Sequence, residues 1–465
     1  MSVFFIKTVQ LLCCFMLLVL LHEGGHFFFA KVFGIRVKKF CIFFDIPIKA
    51  LKFSGGMKLF SFKNTDYHIG WLPLGGYVNI AGMVDESTSA EDLENDDTPK
   101  EEMFMYKPAW QRLLVMVGGV LVNFITALVL YSAIFFTWGE EYVPAENMTL
   151  GYVFNDEAKA LGFKDGDILA AVDGQSIDRW SPSVLRDIST ASTVTVTRAG
   201  QTVNVSLGEN RNLIELIKQQ PPFLAPANPS ILDSVMTGGA ADKAGLKKGD
   251  QIVSFNGHEL QTWNELDQQL LVIHDQIEAA DGQDVSKVLA ATVVVKRAAA
   301  AKLDTLKLTL NDNGKLGVVK HNVLADYTKK TISYNIITCV PAGVKHGWNV
   351  LCGYVSDLRY IFSKEGAQSV GSFGTIGSLF PDTWNWLRFW ELTAFISLML
   401  ALMNFLPIPM LDGGYIFLTI LEIITRRKFP EKAIDRINTV GFYIVIALMG
   451  LGIFNDVARM VFHLY

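Results

Sequence analysis

From Val3 to Phe33 the chain stays mostly apolar, long enough to cross a bilayer as one helix. Only Lys7 brings charge into the stretch from Phe4 to Leu21, and apolar residues resume at Phe27. Between them lies His22-Glu23-Gly24-Gly25-His26. Two histidines four apart share one face of a helix, so both imidazoles reach one metal ion. Glu23 sits beside them, placed to take a proton from a water held there. Ionisable residues in such a segment are costly and mark a functional site. No small-residue cleavage site precedes the motif, so the run reads as a retained span and not a signal peptide.

The 465 residues allow roughly two to four domains, and half of them are apolar. A net charge of -5, with no basic stripe carrying interleaved aromatics, excludes a nucleic-acid partner. The five cysteines form no CxxC pair, and Cys13 and Cys14 lie in the first apolar run. That pattern argues against a disulfide framework.

The first span occupies residues 1–34. Short β-like runs follow over 35–84, at Val37 to Phe44, Met57 to Phe62 and Tyr67 to Ile80, with turns at Pro47, Ser54-Gly55-Gly56 and Gly75-Gly76. They read either as a hairpin or small sheet at the inner surface or as a plain loop. Residues 85–111 form an acidic, solvated loop. A second span covers 112–138 and carries Gly118-Gly119 and a lone polar Asn123, read first as an interhelical hydrogen bond.

A polar region then holds an internal repeat: Ala158 to Gly174 matches Ala241 to Gly257 at a constant offset, without a gap. Two copies of one small α/β domain result, at 139–222 and 223–330. Each copy shows a helix, a Gly-Asp turn, a strand and an Asp/Asn-Gly turn, which resembles a PDZ domain. PDZ domains capture extended peptides at a sheet edge; inert spacers are the other reading. The steps of three and four from Val344 to Ile361 predict an amphipathic helix over 340–365, lying on the membrane surface or against the second repeat. The loop Gly371 to Gly377 has the wrong glycine spacing for a phosphate-binding loop. A third span covers 389–412, broken by Pro407 and Pro409, and a fourth covers 439–464.

Positive clusters set the topology: Lys31, Arg36, Lys38 and Lys39 near the first span, and Arg426 to Arg436 before the fourth. Loops 31–111 and 413–438 then lie inside, and the repeats and both termini lie outside. His22, His26 and Asp412 all fall near the inner ends of their spans. A catalytic zinc takes three protein ligands and leaves a fourth place open, which makes Asp412 the best third ligand. Glu23 is the candidate base. Asn404 is a candidate donor to a developing oxyanion or to substrate backbone, and Pro407 and Pro409 leave carbonyls without intrahelical donors.

These motifs resemble the bacterial site-2 proteases of the RseP type, intramembrane zinc metalloproteases with tandem PDZ domains. The resemblance rests on His22-Glu23-x-x-His26, Leu74-Gly75-Gly76-Tyr77-Val78, Gly119-x-x-x-Asn123-Phe124 and Asn404-x-x-Pro407-x-Pro409-x-Leu411-Asp412-Gly413, and covers nearly the whole chain. It implies a polytopic α-helical membrane protein with four transmembrane helices, two extracytoplasmic PDZ-like domains and a membrane-associated β-hairpin region. It implies Zn2+ on His22, His26 and Asp412, Glu23 as base, and a substrate strand held around Gly75 and Gly76. Its substrates would be single-span membrane proteins, such as anti-sigma factors and signal-peptide remnants, in regulated intramembrane proteolysis at the inner membrane, in contact with lipid. Where the family has a small residue, Gly and Pro before the asparagine motif, this chain has Gly118-Gly119-Val120. The rival class is a non-enzymatic PDZ scaffold with a structural metal. Such sites are closed by a fourth ligand, and none shows the spacing here.

Overall fold

The computed structural model describes residues 2–45, 56–72, 75–83, 97–181, 183–208, 211–280, 284–297, 302–360, 363 and 371–461. The turns expected at Pro47 and Ser54-Gly55, Leu74, the alanine run at 298–301, the acidic residues 85–96 and most of 361–365 lie outside these. The chain divides into two compact units, residues 1–140 with 333–465, and residues 141–332.

Four helices of the first unit are long and apolar enough to cross a membrane. The first, Val3–Val32, begins where the Ser2 hydroxyl accepts the Phe5 amide. At about 1.5 Å per residue it is long enough to cross the hydrocarbon core of a bilayer. It ends at Gly34, whose φ of +62° is the left-handed turn that stops a helix. The second, Ala109–Trp138, starts behind Pro108. A Cβ at Gly25 would overlap the Gly118 carbonyl, and one at Gly118 would overlap the Gly25 carbonyl. The two backbones therefore touch where the metal motif lies, as small residues allow between membrane helices.

Residues between these helices form a four-stranded sheet of β1 (Val37–Ile42), β2 (Gly56–Phe62), β3 (Thr65–Gly70) and β4 (Tyr77–Ile80), ordered β2-β3-β1-β4. The hairpin expected here is only the β2–β3 part, turned by Lys63 and Asn64 at φ +46° and +60°. Two positive φ values in a two-residue loop match the twist of paired strands. β1 pairs with β3 in parallel and with β4 antiparallel. Val37 and Phe40 of β1 and Val78 and Ile80 of β4 enter a core with Ala30, Val115 and Val120. That packing leaves β4 at an edge of the sheet among the described residues, beside the first helix.

The third helix is Trp386–Phe405, its start capped by the Asn385 side chain on the Arg388 amide. It was expected over 389–412. It stops at Phe405 because Pro407 disfavours helix in the residue before it. After an irregular turn, a helix runs from Asp412 to Thr425. The sequence reading placed that segment in an inner loop; at 14 residues it is too short to cross a bilayer. It packs on the second helix, where Arg112 and Glu422 pair at 2.6 Å, both nearly buried. The fourth long helix is Glu431–Val461, with its membrane-length part at Arg436–Ala458.

The expected amphipathic helix is Cys339–Asp357. It lies along the second membrane helix: Gly343 fits against the Ser132 backbone, Gly347 against Leu128 and Tyr131, and His346 meets the Tyr131 ring at 4.7 Å. The contact is made by small residues and His346, while Val344, Trp348 and Val355 of the apolar stripe stay exposed on the other side.

The second unit builds the sequence repeat twice. Residues 201–206, 193–198, 168–172 and 175–176 pair in that order, and residues 303–309, 290–296, 251–255 and 258–259 pair in the same order. The tight turns Asp173-Gly174 and Asn256-Gly257 both have positive φ. Asp173 caps the amides of Ser192 and Thr193, and Asn256 caps that of Thr292. Phe154, Phe163 and Phe223 fill the first core, and Phe255, Ile252 and Val293 the second. Each copy also ties its Gly-Asp turn to a strand by a charged pair: Arg198 with Asp167, and Arg297 with Asp250.

Candidate metal centre

His22 and His26 lie one turn apart, with ring centroids 4.9 Å apart and planes nearly perpendicular. Their Nε2 atoms are 3.3 Å apart. Asp412 Oδ2 lies 3.1 Å from His22 Nε2 and 3.3 Å from His26 Nε2. Asp412 opens its helix directly after the proline turn, where Met410 takes φ +80°. Gly413 and Gly414 let that turn fold back, because a Cβ on either would strike the Leu406 or Ile408 carbonyl. The broken third helix is therefore what carries a carboxylate to the two histidines.

The three donor atoms fit a zinc ion. Ligands about 2.0–2.2 Å from a tetrahedral centre stand about 3.3–3.6 Å from one another, close to the spacing of these atoms. Asp412 Oδ2 is buried and makes no hydrogen bond among the described residues, despite lying near two imidazoles. A buried carboxylate oxygen left in that state calls for a cation. Two imidazole nitrogens and one carboxylate oxygen are a catalytic zinc set, which keeps one position open. No other cluster of this kind occurs among the described residues.

Both histidines are oriented through their other nitrogen. His26 Nδ1 lies 2.8 Å from the Val115 carbonyl, so it carries the proton and leaves Nε2 bare for a metal. His22 Nδ1 lies 3.3 Å from the Asn123 side-chain amide, whose buried Oδ1 has no hydrogen-bond partner among the described residues. Turning that amide over, an exchange of O and N of near-identical shape, gives His22 Nδ1–H an acceptor and satisfies the buried oxygen. Asn123 is held in place by its backbone, where its carbonyl accepts the Ser397 hydroxyl at 2.7 Å. The interhelical bond expected of Asn123 thus ends on a candidate metal ligand.

Asn404, in the last turn of the third helix, has its side-chain amide 3.3 Å from His22 Nε2. Glu23 is half-buried, and an ideal Cβ at Gly76 would come 3.5 Å from its Cγ. Gly76 leads into edge strand β4 and also abuts Val19 and the Cys41 carbonyl, and Gly75 fits against the Phe44 ring. Pro409 packs its carbonyl on Gly441 of the fourth helix, and Pro407 is exposed. The structure therefore brings His22, Glu23, His26, Asn404, Asp412 and Gly76 to one place; Gly75, Pro407 and Pro409 frame it at a remove. Gly119 was not singled out from the sequence as part of the site. A Cβ there would overlap His26 Nε2 and His22. Its signal was its place four residues before Asn123, on the same helix face.

A two-histidine, one-carboxylate centre between helices of membrane length is the site of a membrane metalloprotease. Residues 10–448 match peptidase family M50, and the chain belongs to that family. It is 28% identical over 470 residues to Protease RseP of Yersinia pestis, covering 96% of each chain. It is 28% identical over 472 residues to the regulator of sigma-E protease RseP of Escherichia coli K12, covering 95% of this chain and 96% of that one. A putative zinc metalloprotease of Vibrio cholerae is 26% identical over 487 residues, 96% of each. The chain is a zinc metalloprotease of the site-2 type and a bacterial membrane protein.

Proposed function

We propose that this enzyme cuts peptide bonds inside the membrane segments of single-span proteins, at the bacterial inner membrane. His22, His26 and Asp412 hold the zinc, and Glu23 is the base. The reading is carried by one observation: β4, an edge strand of its sheet, follows directly on Gly76, which lies against Glu23. A helical substrate hides its carbonyls in its own hydrogen bonds, and lipid offers no replacement. β4 supplies replacement partners by strand addition, which holds an unwound segment beside Glu23.

When bound, zinc polarises the scissile carbonyl and makes water acidic enough to react at neutral pH. Glu23 takes the proton of the attacking water and passes it to the departing amine. The Asn404 amide donates a hydrogen bond as negative charge develops on the carbonyl oxygen. Gly25 and Gly118 hold the two histidines against the second helix, and Val115 and Asn123 fix the ring tautomers. The two modules of residues 141–332 are PDZ-like gates outside the membrane, with both termini on that side, as the Lys and Arg clusters favour. They filter substrates, admitting trimmed remnants such as cut anti-sigma factors and signal peptides.

Membership of a peptidase family sets aside the scaffold reading. The test is cleavage of a single-span substrate in proteoliposomes, with the cut mapped by mass spectrometry. A cut within the span, lost in Glu23→Gln, is the expected result; a cut confined to the aqueous flanks would refute it.

A further inference from the structure

Away from the metal centre, a cleft of about 570 Å³ opens beside the turn between β2 and β3. Arg36, Lys38, Lys63, Ser61, Asn64 and Asp66 line it. Its one carboxylate is already engaged: Asp66 takes Lys58 at 2.8 Å and the Ser61 hydroxyl at 2.7 Å. Arg36 gives Nε to Glu102 at 2.6 Å, and its two terminal nitrogens have no partner among the described residues. Lys63 Nζ lies 5.5 Å over the Phe62 ring and makes no ion pair among the described residues. The Arg36 and Lys63 cations and the Asn64 amide therefore converge on a space whose one lining carboxylate, among the described residues, is already neutralised.

Hydrogen bonds tie the cleft to the end of the first span. Lys31, in the last turn of the first span, donates to the Thr65 hydroxyl at 3.0 Å, and Thr65 donates to the Val37 carbonyl at 2.8 Å. These bonds hold the Lys63-Asn64 turn level with the end of the span. From that level β2 exposes Met57, Leu59, Phe60 and Phe62, each about half or more exposed. An exposed apolar strand next to a basic cleft at a span's end suits acyl chains beside a phosphate.

We propose that this cleft binds the phosphate of an anionic phospholipid headgroup. The Arg36 guanidinium takes two phosphate oxygens through its two terminal nitrogens, and Lys63 supplies charge. The Asn64 side-chain amide completes the donors, and Met57 to Phe62 carry the acyl chains. The bound lipid anchors the sheet that ends in β4, and so sets the depth of that edge in the membrane.

The test uses the full chain in neutral detergent, with phosphatidylglycerol or phosphatidylcholine added and retained lipid counted by native mass spectrometry. The wild type is expected to retain phosphatidylglycerol and release phosphatidylcholine. Lys63→Asn, which suits a left-handed turn, is expected to weaken retention roughly fivefold, and adding Arg36→Gln about 25-fold. Lys63→Arg is expected to keep it. Zinc content serves as the check on folding for each variant. Equal retention by wild type and both neutralised variants overturns the proposal. So does inorganic phosphate that displaces the lipid at equal concentration, which would make the ligand a free anion. Retention that arises only after the acidic run of residues 85–97 is changed to amides also overturns it, since that run would then be the occupant.

Discussion

Gly25 and Gly118 pack backbone against backbone, each placed where a Cβ would overlap the other's carbonyl. Gly24, next to Gly25, has nothing within 4 Å of its ideal Cβ. The two glycines inside one metal motif thus have different duties. Gly25→Ala is expected to push the second helix away from the histidines, costing about 1–3 kcal/mol and most of the zinc. Gly24→Ala is expected to keep zinc and to gain up to about 1 kcal/mol of helix stability. Melting temperature and zinc content of the two variants in detergent check this. Equal losses in both would show that the contact is not what positions the site.

Glu23→Gln keeps the shape of the side chain and both histidines. It is expected to retain zinc and lose at least about 100-fold in cleavage rate. Asp412→Ala is expected to lose zinc and activity together, because two imidazoles hold the ion far more weakly than three ligands. Metal analysis and a cleavage assay on one purified sample of each variant decide both points. Full zinc occupancy in Asp412→Ala would transfer the third ligand to another residue.

Asn123 acts on the metal only through His22. Asn123→Ala is expected to weaken zinc about 10–100-fold while leaving the fold intact, since it removes the acceptor that fixes the ring. Asn123→Asp, which restores an acceptor oxygen, is expected to recover most of that affinity. Competition against a chelator of known strength gives the numbers. An Asn123→Ala variant with wild-type zinc affinity would reduce the contact to helix packing.

Gly76 meets Val19, the Cys41 carbonyl and Glu23 at the head of β4. Gly76→Val is expected to displace that edge and cut cleavage of membrane segments sharply, with zinc unchanged. The rate and the zinc content measured together separate an effect on substrate from one on metal. Unchanged cleavage would remove β4 from the substrate path.

In the unit of residues 141–332, the Asp167 side chain is wholly buried and meets both Nε and Nη2 of Arg198 at 2.7 Å. Arg198 remains a quarter exposed, so water compensates part of a lost partner. Asp167→Ala is expected to cost about 2 kcal/mol, below the range for fully buried pairs. Hydrogen exchange should rise over residues 168–198 and stay unchanged around His22.

What the sequence by itself determined was local or periodic. The His22–His26 spacing, the four apolar runs and the gapless repeat at 158–174 and 241–257 need only helix geometry, chain length and self-comparison. The break at Pro407 and Pro409 was legible too, because proline interrupts a helix anywhere past its first turn. Other features depended on partners far along the chain. The parallel pairing of β1 with β3 is set by burying Val37 and Phe40 on the first helix, and a run of alternating residues carries no record of its neighbour. The helix from Asp412 to Thr425 was hidden because its apolar face finds the second helix, a partner about 300 residues away. The Val115 carbonyl that orients His26 is a backbone atom, present at every residue and meaningful at one. Asn123 was visible as a polar residue in an apolar run; only the close approach of Gly25 to Gly118 turned its amide into a partner for His22.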